Sequence, residues 1–338
     1  MTALVIIVVI GFIAGKIGYM NEEFDKKLSA LIVNITCPAL ILSSTMGETL
    51  PDREMILPLL GISFLTYILL TGVSFTLPRL LTRRKEDEGI VGFALMFGNV
   101  GFIGYPIVAS IFGQTAIFYA AILNVANTFF VFTIGNLLVA NSNGNVNGNG
   151  NGLREAPEHQ LERKNGNGDG NEKVKVNVNV SVRNSLKRKF EKKVLYSTPM
   201  LSAYLSMVIV ALGIDNIPEA ISKPLTMIGN ITVPGALMII GSTMAQLSGR
   251  AMLGNVTVYA TSLFRLVLIP LAFYWLFTWM GYDPYVVNIN TVIIAMPVAT
   301  YGTILCLINN RDTTLMTELT FTTTIISMVT IPLLAQAF

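Results

Sequence analysis

Two short runs carry the residues whose types and spacing could do chemistry. One is Gly98-Asn99-Val100-Gly101-Phe102-Ile103-Gly104-Tyr105-Pro106, and the other is Met296-Pro297-Val298-Ala299-Thr300-Tyr301-Gly302. Each lies inside an apolar stretch. There a proline removes one backbone hydrogen bond and its ring clashes with the carbonyl four residues earlier. The glycines at 98, 101 and 104 add backbone freedom and leave room for another chain to approach. Such runs unwind a helix, and the half-helices beside each break then present N–H groups and a partial positive charge at their N-termini. Two such ends meeting at the membrane midplane would hold a carboxylate without a full cation, and the Asn99 amide would add a donor. The candidate binding residues are therefore Asn99, Gly101, Gly104, Tyr105 and Pro106 from the first run. The second run contributes Met296, Pro297, Thr300 and Tyr301.

Other polar residues in apolar stretches are supporting candidates. Arg265, near the middle of an apolar stretch, needs a partner or a wet cavity; Glu318 could pair with it, or the arginine could touch the substrate. Asn124 and Asn127, one turn apart, could face the site or bond between helices. Lys16 reads as a snorkelling residue at a helix end. Enzyme chemistry is excluded on residue types. Asp283 sits in a loop and no apolar stretch holds a second aspartate for a protease pair. The single histidine, His159, falls in a polar segment. Cys37 and Cys306 match no disulfide or metal-ligand spacing, so neither a metal nor a cofactor is expected.

The elements that must position these residues follow from composition. Only 13% of the 338 residues are charged and 52% are hydrophobic, whereas a soluble domain carries about 25% charged residues. The apolar residues fall into ten blocks at 2–20, 26–47, 55–78, 88–112, 115–140, 194–213, 224–246, 252–280, 287–309 and 313–336. Each is long enough to cross a hydrocarbon core of ~30 Å as a helix, and hydrocarbon demands that every backbone polar group be paired internally. None alternates as a barrel strand would. The first block does not read as a signal peptide, because no basic residue precedes Thr2-Ala3-Leu4-Val5 and no cleavage site follows before Asn21. The fold class expected is an all-α polytopic membrane protein with ten transmembrane helices.

Residues 141–193 form a polar insertion that opens with an Asn/Gly tract unable to offset its ordering entropy. It ends in a basic run at 183–193 suited to an anionic lipid surface. With an outside N-terminus, the short inner loops hold Lys26, Lys27, Arg79, Arg83, Arg84, Lys85, Arg250 and Arg311, against Arg53 and Lys223 outside. The bias puts both termini outside and the insertion in the cytoplasm.

The sequence also repeats. Asn34-Ile35-Thr36-Cys37-Pro38 recurs as Asn230-Ile231-Thr232-Val233-Pro234, and Ser44-Thr45-Met46 recurs as Ser242-Thr243-Met244. The copies are five helices apart, so they sit in opposite orientations, the pattern of secondary transporters. The breaks match in type: Pro106 lies 68 residues after Pro38, and Pro297 lies 63 after Pro234. Residues 1–140 and 194–338 are thus expected to be two inverted five-helix repeats, with helices 4 and 9 broken and crossing at prolines.

GNVGFIGYP, the CPAL turn and MPVATYG resemble the auxin efflux carrier family of plant auxin exporters and microbial organic-acid permeases. The resemblance spans both halves and omits only 141–193. It implies a secondary transporter of a small organic anion in the plasma membrane, working by elevator-type alternating access, with a homodimer as one arrangement and no nucleic-acid partner. It also implies that Asn99 and Pro106 line the substrate site and that Pro297 is the second crossing proline. The third helix departs from the plant pattern: it keeps Ser63, Thr66, Tyr67, Thr71, Ser74 and Thr76 but no acid–base pair. An ion channel and a proton- or sodium-coupled symporter are the rival readings.

Overall fold

The computed structural model describes residues 2–46, 51–141, 197–214, 217–246, 256–309 and 311–336. Of the 141–193 insertion only Asn141 lies among them; His159 and the basic run do not. Twelve helices are described: α1 (Thr2–Lys16), α2 (Glu22–Ser43), α3 (Arg53–Leu81), α4 (Glu88–Met96), α5 (Val100–Phe112), α6 (Thr115–Ala140), α7 (Thr198–Ala211), α8 (Glu219–Gln246), α9 (Val256–Trp279), α10 (Pro284–Ile294), α11 (Tyr301–Ile308) and α12 (Thr314–Gln336). Among the described residues there is no strand, only one isolated antiparallel bridge between Gly98 and Val298. Six helices, α2, α3, α6, α8, α9 and α12, are long and apolar enough to cross a membrane. Large apolar side chains such as Leu57, Leu80 and Trp279 stand fully outward. That surface is solvated by lipid, and the chain is an integral membrane protein.

Local sequence explains where the helices start. Asn21 caps α2, its Oδ1 accepting from the Phe24 N–H at 2.9 Å, with Glu22, Glu23 and Asp25 in the first turn facing the positive helix end. Asp283 caps α10 through the Tyr285 and Val286 N–H groups, and Pro284 takes the first helical position, where its missing N–H costs nothing.

Two bodies of packing stand out. In the first, α1 lies directly on α8: a Cβ at Gly241 would fall on the Val8 carbonyl, so only glycine permits this approach. Asp25 of α2 fastens the same region, accepting from Ser242 Oγ at 2.7 Å and Gln246 Nε2 at 2.8 Å. In the second, α3, α6 and α10 enclose α4 and α5. Tyr67 stacks between Phe97 and Phe130 at 6.2 and 5.7 Å, Ser63 donates to the Leu123 carbonyl, and Asn290 donates to Thr66. The third-helix hydroxyls are thus spent on packing.

Between α4 and α5, and between α10 and α11, the chain leaves the helix. Phe97 is extended, with φ −111° and ψ 120°, and the two loose segments pair with each other. Asn99 N–H donates to the Pro297 carbonyl at 2.7 Å, and Ala299 N–H donates to the Phe97 carbonyl at 3.0 Å. Val298 N–H finds Thr323 Oγ1 on α12 at 3.0 Å. Backbone that would be untenable in lipid is satisfied by these bonds.

This corrects the expectation that both breaks cross at prolines. The crossing lies at Gly98 and Val298; Pro297 is beside it, but Pro106 lies inside α5, directly after the π-turn Val100–Gly104. There the π-turn takes up the missing bond and the helix continues through the proline. Nor do the three glycines share one role. A Cβ at Gly98 would strike the Arg265 guanidinium and lie 3.0 Å from Met296 Cβ, whereas Gly101 has open space around it and a Cβ at Gly104 would sit tightly, 3.3 Å from the Val100 side chain.

Candidate functional site

A cavity of about 340 Å³ opens beside the crossing. Asn99, Gly101 and Phe102 line it from the first break and Thr300 and Tyr301 from the second, so the N-terminal ends of α5 and α11 both reach it. The third side is α6, through Asn124, Asn127 and Thr128. Ser29 and Val33 of α2 and Ser197, Pro199 and Met200 at the start of α7 complete the wall. No charged side chain is among the described lining residues.

The polar groups are held in fixed geometry. Asn99 Oδ1 turns inward to accept from the Phe102 N–H at 3.4 Å, capping the turn that restarts the helix. The Asn99 carbonyl accepts from the Ile103 and Gly104 N–H groups. With its oxygen committed, the amide nitrogen is the end left for a ligand. On α6, Asn127 Nδ2 donates to Asn124 Oδ1 at 2.8 Å, and Asn124 Nδ2 donates to Tyr105 Oη at 3.0 Å. Asn127 Oδ1 is buried and has no partner among the described residues. A buried acceptor of this kind is satisfied by water or by a ligand donor.

Of the residues expected to bind substrate, Asn99, Gly101, Thr300 and Tyr301 come together on the cavity wall, with Asn124 and Asn127. Tyr105 is fully buried behind it, bonded to Asn124. Gly104, Pro106, Met296 and Pro297 are not on the wall; they shape the backbone that is. Arg265 does not pair with Glu318. It is 1% exposed, and its Nε donates to the Met296 carbonyl at 3.1 Å and its Nη1 to the Leu95 carbonyl at 3.0 Å. Glu318 is half-buried on α12, away from the wall. The wall residues missed in the sequence, Ser29, Thr128 and Ser197, are small hydroxyls common in membrane helices. Only the position of Thr128 beside Asn127 marked any of them out.

Among the described residues the wall offers amides, hydroxyls, one open acceptor and apolar side chains, an arrangement that can bind and orient a small molecule. Comparison with known proteins agrees. Residues 1–335 match the family of membrane transport proteins. The chain belongs to that family. It is a transporter and not an enzyme. The auxin-efflux-carrier resemblance of its three motifs thus extends across the whole chain. An uncharacterized transporter of Methanocaldococcus jannaschii is 23% identical over 335 residues, covering 97% of this chain and 94% of that protein. An uncharacterized transporter of Methanothermobacter thermautotrophicus is 31% identical over 147 residues, 40% of this chain and 45% of its own length.

Proposed function

We propose that this transporter carries a small organic monoanion and that the cavity at the crossing is its substrate site. One observation carries the reading: two helix N-terminal ends and the Asn99 amide converge on a cavity without a fixed charge. Half-helix N-termini are suited to a carboxylate. The absence of lysine or arginine on the wall argues for one negative charge rather than two, since a second would enter without a counter-charge. The unpartnered Asn127 Oδ1 calls for a donor on the ligand, such as a hydroxyl or a ring N–H, and Phe102, Phe132 and Met200 suit an apolar body. The volume is at the small end for ligand pockets.

Ten spans in two inverted repeats, 1–140 and 194–338 around the insertion, are part of the same reading. Thr36 and Thr232, the repeat-related threonines 196 residues apart, bond to each other at 2.9 Å. In a two-fold arrangement only residues on the axis meet their own mates, so this contact supports an axis passing between the two threonines. The elevator mechanism fits a body of α1, α2, α7 and α8 against which the crossing unit would move. Export as a uniport fits the lack of an acid–base pair in residues 55–78. An inside-negative potential favours outward movement of a monoanion by ~2.3 kcal/mol per 100 mV, or roughly fifty-fold. Both termini outside, the 141–193 insertion in the cytoplasm and residence in the plasma membrane complete the proposal, with a homodimer as the family's arrangement.

The test is a thermal-shift panel of carboxylates on purified protein, followed by uptake into proteoliposomes. Monocarboxylates bearing a second donor should raise apparent stability most. A preference for dicarboxylates, or transport unchanged with the potential clamped at zero, would refute the monoanion uniport. Cysteines placed at Gly150 and Gly168 should react only from the cytoplasmic side; labelling of intact cells from outside would reverse the orientation.

A further inference from the structure

Arg265 is the largest side chain that is fully buried, and among the described residues no carboxylate forms an ion pair with it. A lone guanidinium in the middle of a membrane helix is costly unless something carries the opposing charge. Its contacts show what does. Nη1 donates to the Leu95 carbonyl at 3.0 Å and reaches the Met96 carbonyl at 3.5 Å, the last two residues of α4. Nε donates to the Met296 carbonyl at 3.1 Å, two residues past the end of α10. Each helix C-terminus carries roughly half a negative elementary charge. Two such ends amount to about one, which matches the guanidinium. The two N-terminal ends at the crossing face the cavity, and the two C-terminal ends face Arg265.

Unwound carbonyls and half-helix C-terminal ends are also the groups that hold a coupling sodium ion where a transporter uses one. Here those carbonyls are already taken. We propose that Arg265 is a resident cation: a positioning residue that fixes both half-helix ends at the crossing and stands in for a coupling sodium, so that this transporter works without one. A planar fork with five donors suits three carbonyls from two chain segments, which a single ammonium cannot span as well. The lack of a side chain at Gly98 is part of the device, because a Cβ there would occupy the space of the guanidinium.

The inference deepens the reading of the crossing as the transport site, but its ion test needs no substrate. Purified parent protein is melted in sodium chloride and in choline chloride at equal ionic strength. Equal melting temperatures are expected, and a sodium-specific stabilisation of the parent would overturn the proposal. The same comparison is made with Arg265→Lys, which keeps the charge, and Arg265→Met, which keeps apolar bulk. A charge role predicts that the lysine variant retains more binding and uptake, with the methionine variant at least about tenfold lower, the factor that ~1.4 kcal/mol represents. A role in packing alone predicts the reverse order, and that order would sink the proposal. Arg265→Ala should in addition regain stability from millimolar guanidinium but not from choline. If no Arg265 variant can be purified, the sodium comparison on the parent still decides.

Discussion

The two breaks meet at one point but are made differently. At the first, Gly98 clears space: nothing larger than hydrogen fits between the guanidinium and Met296. At the second, Pro297 stops the helix by lacking an N–H, while its carbonyl receives the Asn99 N–H at 2.7 Å. One break is set by a missing side chain and the other by a missing donor. A helix crossing therefore needs no pair of prolines. It needs two segments that cannot stay helical and a set of bonds that satisfies both. Pro106, which looks like the partner of Pro297, lies eight residues past Gly98, where the helix continues through it.

That contrast can be broken or sharpened by substitution. The largest effect is expected at Gly98. Gly98→Val forces a side chain onto a buried charge and should cost about 3 kcal/mol or more, seen as loss of monodisperse folded protein or a steep fall in melting temperature. A normal melt would mean the approach of Arg265 is not as close as described. Asn99→Ala comes next. Removing the cap costs ~1 kcal/mol of stability, and losing a donor to an anion costs about 1.5–3 kcal/mol of binding, roughly ten- to hundredfold. Calorimetric titration separates the two losses.

Pro297→Ala and Pro106→Ala then test the asymmetry directly. The first permits the helix to re-form through the break, so stability should hold or rise while binding falls at least about tenfold. The second exchanges a proline that the π-turn already accommodates and should shift stability by less than ~1 kcal/mol, with binding kept. Equal losses from both would restore the two-proline crossing. The smallest effect belongs to Asn34→Ala. Asn34 is exposed and its amide only donates back to the Ala30 carbonyl at 2.7 Å, so binding and melting should match the parent.

Much of this was legible in the sequence because hydrocarbon leaves few choices. A long apolar stretch must be a helix, and a proline–glycine run inside one must be a break. The Asn-Ile-Thr repeat also named two residues that meet, Thr36 and Thr232. What could not be read was how each break is satisfied. Pro106 and Pro297 look alike as letters, yet at Pro106 a π-turn carries the helix through while at Pro297 the chain has left it, and only the three-dimensional structure tells the two apart. The partner of Arg265 was missed for a related reason. Sequence shows carboxylates such as Glu318, but every residue has a carbonyl, and only the fold reveals which are left over at helix ends. The Asn124–Asn127 pair left two roles open because the pair does two things: Asn124 donates to Tyr105 on the neighbouring helix, and both asparagines line the cavity.

The most direct measurement of the central claim is the dissociation constant of the preferred monocarboxylate for the parent, Asn99→Ala and Asn34→Ala, titrated on proteins shown to melt cooperatively. The account predicts a ten- to hundredfold weaker constant for Asn99→Ala and an unchanged one for Asn34→Ala. Unaltered affinity in Asn99→Ala, with a loss in Asn34→Ala, would place the substrate away from the crossing and contradict it.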